Sequence, residues 1–100
     1  MNVQIESPQA ERNVKLENLI QEKFEHLEKQ FQRITNCKVL YHKQKNDVQQ
    51  RYFIEAKMEV PQKILFASDK AETYELALSK VIDELDHQLR RYKEKLLEQR

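Results

Sequence analysis

Apolar and polar residues follow two kinds of pattern in the first third of the chain. Alternation predicts a short strand over residues 2–6. A longer apolar set then recurs every three or four residues, which predicts a helix that starts at an N-cap on Asn13, or nearer Pro8, and ends at Asn36. The apolar positions of this helix are Leu16, Leu19, Ile20, Phe24, Leu27, Phe31 and Ile34.

The middle of the chain carries strand patterns. Residues 37–43 are rich in β-branched and aromatic side chains, and residues 45–47 predict a turn. From 52 to 60 apolar residues alternate with polar ones, so this strand buries one face and exposes the other. Pro61 and Gln62 predict a second turn, followed by a short strand over residues 64–67.

A second helical period fills the rest of the chain, with Ser68 or Asp69 as its predicted cap. Its apolar stripe consists of Tyr74, Leu78, Val81, Ile82, Leu85, Leu89, Tyr92 and Leu96. The order β-α-β-β-β-α predicts an α+β fold. We expect one domain over residues 1–100, with a four-stranded sheet and both helices packed on one face.

Composition narrows the function classes. The chain has no glycine, which excludes glycine-rich phosphate loops, and its single cysteine, Cys37, lies in a predicted strand and should be a buried small side chain. No apolar run reaches the ~20 residues needed to span a bilayer, and the N-terminus lacks a secretory pattern. We therefore expect a cytoplasmic protein with no membrane partner.

Enzyme chemistry is not indicated. The three histidines, His26, His42 and His87, fall on three different elements without metal-ligand spacing. Glu55 and Glu59 share a strand face, which is typical of a solvated strand. We expect no catalysis, no metal or cofactor, and no small-molecule substrate.

Charge is unevenly distributed in a chain whose net charge is only +1. Residues 70–86 carry two bases and five acids, whereas residues 87–100 carry five bases and two acids. The helix dipole accounts for such a bias in the terminal turns alone. At 100° per residue, one set of side chains projects opposite the apolar stripe and a second set lies along one flank. The first set is Lys80, His87, Arg91 and Lys95, and the second is Arg90 and Lys93.

A second basic cluster surrounds the predicted turn at residues 45–47. It consists of Lys38, Lys43, Lys45 and Arg51, opposed by Asp47. Such clusters are compatible with an RNA-binding surface or with an ordinary solvated face. Phe53 is the one ring that the alternation leaves exposed, and exposed rings can stack on bases. The other strand and helix rings, Tyr52, Tyr74 and Tyr92, should pack in the core with their hydroxyls reaching water.

The segments 60–67, 73–78 and 81–96 resemble the last strand and helix of the ribosome hibernation-promoting factors, also called ribosome-associated inhibitors or the sigma-54 modulation family. The run QLRRYKEKL at 88–96 is the most specific part, and residues 23–34 match more loosely. Gln62 stands where the family usually has glycine, and Thr73 where many members have an acid.

The resemblance implies a fold similar to double-stranded-RNA-binding domains. It also implies that the domain binds small-subunit ribosomal RNA between head and body, in space used by messenger and transfer RNA, and stops translation reversibly. The family's RNA contacts come from basic side chains of both helices. They correspond here to Arg90, Arg91, Lys93 and Lys95, with Lys23 and Lys29 of the first helix. A short form of this kind should be monomeric away from the ribosome.

Two other hypotheses stay open at this point. The long charged helices could pair with partner helices in a protein-interaction module, whose binding would resist salt and ribonuclease. A generic double-stranded-RNA binder would instead bind any A-form duplex equally well.

Overall fold

The computed structural model describes residues 1–8, 12–46 and 48–98. Its elements are β1 (Asn2–Glu6), α1 (Val14–Gln30), β2 (Asn36–Lys43), β3 (Tyr52–Val60), β4 (Lys63–Ala71) and α2 (Tyr74–Glu98). This order confirms the predicted β-α-β-β-β-α arrangement and the α+β class.

The four strands form one sheet in the order β1-β2-β3-β4. β1 pairs with β2 in parallel, as a crossover through α1 requires, and the two remaining pairs are antiparallel hairpins. In the register of these pairs Val39 lies opposite Ala56, and Ala56 lies opposite Ala67. All three are buried, so the apolar face of every strand points to the same side.

Both helices pack on that apolar face. Ile20 and Phe24 of α1 and Leu85 and Leu89 of α2 have no exposed surface and join the strand residues in one core. Full burial of such side chains contributes ~1.5–3 kcal/mol each relative to exposure. Neither α1 nor α2 packs on the opposite face of the sheet. We call it the open face.

The first helix begins where predicted and ends earlier. The Asn13 side chain accepts a hydrogen bond from the Leu16 amide at 2.9 Å, which confirms the N-cap. The predicted end at Asn36 is wrong, because α1 stops at Gln30 and Phe31 is extended with φ −154° and ψ 103°. Asn36 is instead the first residue of β2. The Phe31 ring packs edge-on against Tyr92, with ring centroids 5.6 Å apart. Phe31 is therefore an apolar loop residue that contacts α2.

The fourth strand is longer than predicted. It continues to Ala71 because its residues pair with β3 as far as Tyr52. Ser68 and Asp69 therefore lie in the strand, and the prediction that either caps α2 is wrong. Thr73 is the cap, since its Oγ1 accepts from the Leu76 amide at 3.1 Å.

Two of the predictions reach residues outside the described ranges. The turn at 45–47 includes Asp47, and the basic count of α2 includes Arg100; both lie outside the described residues. Lys45 and Asn46 lie in a bend after β2.

Candidate nucleic-acid interface

Basic residues that the sequence suggested occur at both ends of the sheet. We call the end with the β3–β4 turn at Pro61 and Gln62 the turn end, and the end with the β2–β3 connection the loop end. From Lys63 at one end to Ala71 at the other, β4 advances eight residue steps, or ~26 Å at 3.3 Å each. Residues 91–98 of α2 lie at the turn end, whereas Lys43 and Lys45 lie at the loop end.

A cleft at the turn end brings three cations together. Arg91 and Lys95 of α2 line it with Lys63, the first residue of β4, and with Gln88 and Tyr92. The cleft has a volume of about 150 Å³. Lys63 was not among the residues that the sequence suggested, because it lies far from α2 in the chain. We call these three residues the cationic cleft.

Hydrogen bonds from α2 hold the walls of this cleft. The Tyr92 hydroxyl donates to the Pro61 carbonyl at 2.7 Å, which fastens the turn to the helix. The Gln88 side-chain amide donates to the Phe66 carbonyl at 2.7 Å and accepts from the Phe66 amide at 3.3 Å. Tyr92 and Gln88 are one helical turn apart, so the helix is fixed to β4 beside Arg91.

The tight turn before Lys63 has an unusual backbone. Gln62 has φ 67°, in the left-handed region that favours glycine. The difference from the family's usual glycine therefore leaves the turn itself in place. Tyr92 is 7% exposed, so its hydroxyl bonds to protein where the sequence suggested water.

Arg90 and Lys93 point away from this cleft. Arg90 pairs with Asp86 four residues earlier at 3.1 Å. The Lys93 ammonium donates to the Gln30 carbonyl at the end of α1, at 3.3 Å. The basic half of α2 therefore has two flanks, one toward β4 and one toward α1. The predicted arrangement, in which Arg91 and Lys95 project opposite the apolar stripe, is wrong for those two residues.

The remaining predicted residues of α2 lie nearer its centre. The Lys80 ammonium donates to the Lys70 carbonyl of β4 at 3.4 Å, and Lys80 is half-buried. His87 is exposed on the outer surface of the helix.

The two predicted residues of α1 differ in their surroundings. Lys23 lies in a groove between the helices that Glu75 and Asp83 also line, so two acids share the groove with this cation. Lys29 is exposed in the last turn of α1. Neither residue reaches the cationic cleft.

The loop end keeps part of the second basic cluster. The Lys43 ammonium lies 5.7 Å from the centre of the Tyr52 ring, and Lys45 is exposed. The Gln44 amide donates to the Arg51 carbonyl at 2.7 Å and so closes the connection between β2 and β3. Lys38 does not join this group, because it pairs with Glu6 on the open face at 3.6 Å.

The prediction that Phe53 is the exposed ring of the open face is wrong. Phe53 is half-buried because the His42 ring covers it, with centroids 4.8 Å apart. Phe66 is the ring with more exposure, at 43%. Both belong to the open face, since Phe53 pairs with Lys70 and Phe66 with Lys57 across β3 and β4.

The packing of the fold shifts the pKa of several ionisable groups, among them Glu17 and Cys37. Hydrogen bonds from Arg12 and from the Tyr41 hydroxyl lower the pKa of the Glu17 carboxyl against an opposing effect of burial, and the Arg12 bond is the larger cause. Burial raises the pKa of the Cys37 thiol to about 12, so the thiol stays protonated. The predicted burial of Cys37 is confirmed.

The described residues form neither a metal-ligand cluster nor a membrane-spanning helix. Within the described ranges, no three His, Cys, Asp or Glu side chains are grouped so as to hold a metal ion. Neither α1 nor α2 is apolar enough over its described length to cross a bilayer.

The chain is similar to a known family and to several solved structures. The family model described as "Sigma 54 modulation protein / S30EA ribosomal protein" matches residues 3–97. A ribosomal subunit interface protein from Coxiella burnetii superposes with a TM-score of 0.81 at 18% identity, over 93% of this chain and 98% of that one. The Protein Y N-terminal domain from Thermus thermophilus gives 0.71 at 15% identity, over 91% and 94%. No curated protein matches the sequence.

Proposed function

This chain belongs to the sigma-54 modulation / S30EA ribosomal protein family, and from that premise we propose that it is a ribosome hibernation factor. It binds small-subunit ribosomal RNA near the decoding site. Bound there, it occupies the space of messenger and transfer RNA and so blocks translation reversibly, without any covalent chemistry. Away from the ribosome it is a monomer.

The observation that carries this proposal is the cationic cleft on a molecule with a net charge of +1. A protein so close to neutral cannot bind RNA by bulk attraction, so its positive groups must be gathered locally. Lys63, Arg91 and Lys95 make no ion pair with a carboxylate in the part of the chain that the structure describes. Their charges remain available to phosphate groups.

The mechanism is occupation of a site. Contacts to phosphates fix the position and orientation of a protein on RNA but carry no base sequence. A factor held by such contacts recognises the shape of a folded RNA, and its long-range attraction speeds encounter. Release then follows when competing ligands or salt weaken those contacts.

Co-sedimentation with purified small subunits tests the proposal. The parent protein should pellet with the subunits at low salt, and binding should fall as salt rises. Prebound messenger RNA with transfer RNA should exclude it. Changing Arg90, Arg91, Lys93 and Lys95 together to alanine should abolish pelleting at moderate salt.

A control variant carries Lys38→Ala and Lys57→Ala on the open face and should pellet like the parent. Circular dichroism checks that both variants are folded. A parent that stays in the supernatant at every salt concentration, or that binds equally well beside messenger and transfer RNA, would refute the proposal. Salt-resistant binding to a protein component would favour the interaction-module hypothesis instead.

A further inference from the structure

We propose that Lys63, Arg91 and Lys95 form a site for a single backbone phosphate of RNA, and that Arg90 and Lys93 belong to the scaffold of the fold. This inference rests on the proposed function, because it identifies which atoms of that surface meet RNA. It adds Lys63, a strand residue, to a contact otherwise assigned to helices.

The three positive charges of the cleft repel one another. Arg91 and Lys95 are four residues apart on α2, a spacing at which like charges destabilise a helix. Lys63 brings a third positive group to the same cleft from β4. No described carboxylate lies within ion-pair distance of any of the three, so no salt bridge within the described fold relieves this repulsion. An anion in the cleft would offset it.

Hydrogen bonds within the protein hold both walls of the cleft. Tyr92 fastens α2 to the turn that precedes Lys63, and Gln88 fastens α2 to the backbone of β4 at Phe66. These bonds lie on either side of Arg91 along the helix. A site whose walls are already fixed loses little conformational entropy when it binds.

The available groups select phosphate over a base. A guanidinium presents paired N–H donors that match two phosphate oxygens, and two ammonium groups add charge. The Tyr92 ring is 7% exposed and offers no stacking surface, while both ends of the Gln88 amide already bond to Phe66. The three cations are therefore the groups that can meet RNA, and positive charges gathered in one cleft favour an anionic phosphate over an uncharged base edge.

Arg90 and Lys93 have partners within the protein. Arg90 is held by Asp86, and Lys93 closes a carbonyl at the C-terminus of α1. The last carbonyls of a helix lack partners inside it, so the Lys93 contact is a helix cap. The Lys93 contact reaches α1, whereas Arg90 pairs within α2, and neither side chain lines the cleft.

Two double variants with equal charge test this division. The first variant combines Arg91→Ala with Lys95→Ala, and the second combines Arg90→Ala with Lys93→Ala. Each variant removes two positive charges from the same part of α2. The first pair should weaken binding to small subunits about tenfold at moderate salt, as should Lys63→Ala to a lesser degree. The second pair should bind within about twofold of the parent but unfold at lower denaturant. Equal loss of binding in both pairs would overturn the site, because charge alone would then matter.

An NMR titration tells the source of the phosphate. A short A-form RNA duplex should shift the Arg91 side-chain N–H and the Lys63 amide, and inorganic phosphate should shift the same signals more weakly. If inorganic phosphate binds in the cleft and RNA does not displace it, the cleft is a free-anion site and the assignment to RNA backbone is overturned. The absence of shifts with either ligand would also overturn the assignment.

The two proposals fail in different ways. Failure of the parent to pellet with subunits refutes the hibernation function, whereas the titration still reports whether the cleft takes phosphate. Normal pelleting of the parent and of the Arg91/Lys95 variant leaves the function standing and removes the cleft from it.

Discussion

Tyr41 joins the start of α1 to the sheet through one oxygen atom. Its hydroxyl donates to the Glu17 carboxylate at 2.7 Å and accepts from the Asn13 amide at 2.8 Å. Arg12 completes the group with an ion pair to Glu17. Tyr41 is 1% exposed, so burying its hydroxyl without these partners would lower the free energy of unfolding by about 1–3 kcal/mol.

This arrangement predicts a loss of stability in acid that depends on Glu17. Because the folded pKa of Glu17 is lowered, its contribution is present above the unfolded pKa of ~4.3 and is lost as pH falls through the folded value. Glu17→Gln should lower the free energy of unfolding at pH 7 and flatten its decline toward pH 3. Urea unfolding at both pH values measures the effect.

Glu22→Gln, on the exposed side of the same helix, is the control. It should reproduce the acid profile of the parent. A Glu17→Gln profile as steep as the parent's would show that other carboxylates carry the acid dependence.

Single residues show where sequence patterns stop being informative. The Asn13 cap could be predicted because its partner, the Leu16 amide, is three residues away. The Tyr41 contact spans 24 residues to Glu17, and the Lys93 contact spans 63 to Gln30. Local periodicity contains no information on such pairs. It therefore placed Lys93 correctly on a flank of α2 without showing that its charge was already engaged.

At the scale of elements, the strands and helices could be predicted in number and order, but several boundaries could not. The alternation in β3 and the apolar stripe in α2 are strong signals because one face of each is buried. β4 was expected to end at residue 67, since Ser68 and Asp69 are common helix caps. Their pairing with Glu55 and Ile54 of β3 keeps them in the sheet. Strand pairing across the chain overrides the local capping preference here.

The start of α2 gives a test of that boundary. Thr73→Ala should lower the free energy of unfolding by ~1 kcal/mol, because the Leu76 amide loses its side-chain acceptor. Ser68→Ala, at the position that the sequence suggested as a cap, should change it by less than ~0.5 kcal/mol. The denaturant midpoints of the two variants measure these changes. A larger loss of stability in Ser68→Ala than in Thr73→Ala would contradict the assigned start of α2.

The whole molecule presents positive groups at two ends ~26 Å apart along β4. The separation exceeds the ~8 Å screening length at physiological salt, so the ends act independently, and under the proposed function they would meet different phosphates of the RNA. The sequence contained both groups of cations. It could not show that the cluster near β2 and the basic half of α2 lie at opposite ends, because that follows from strand direction and pairing.

Independence of the ends can be measured by salt dependence. Lys43→Ala with Lys45→Ala at the loop end, and Arg91→Ala with Lys95→Ala at the turn end, should each reduce the slope of log affinity for small subunits against log salt by ~1. The combined variant should show the sum of the two reductions. A combined slope no smaller than that of the turn-end variant would mean that the loop end does not contact RNA.

The bond between Gln88 and Phe66 has a consequence for the protein at high concentration. β4 is the last strand of the sheet, and an outermost strand with unpaired backbone groups recruits strands from other molecules into aggregates. The Gln88 side-chain amide bonds to both backbone groups of Phe66 on the outer edge of β4, as one residue of a fifth strand would. The Lys80 ammonium bonds to the Lys70 carbonyl on the same edge. These two contacts leave fewer backbone groups of β4 open to pairing with a strand of another molecule, so the edge is less prone to aggregation.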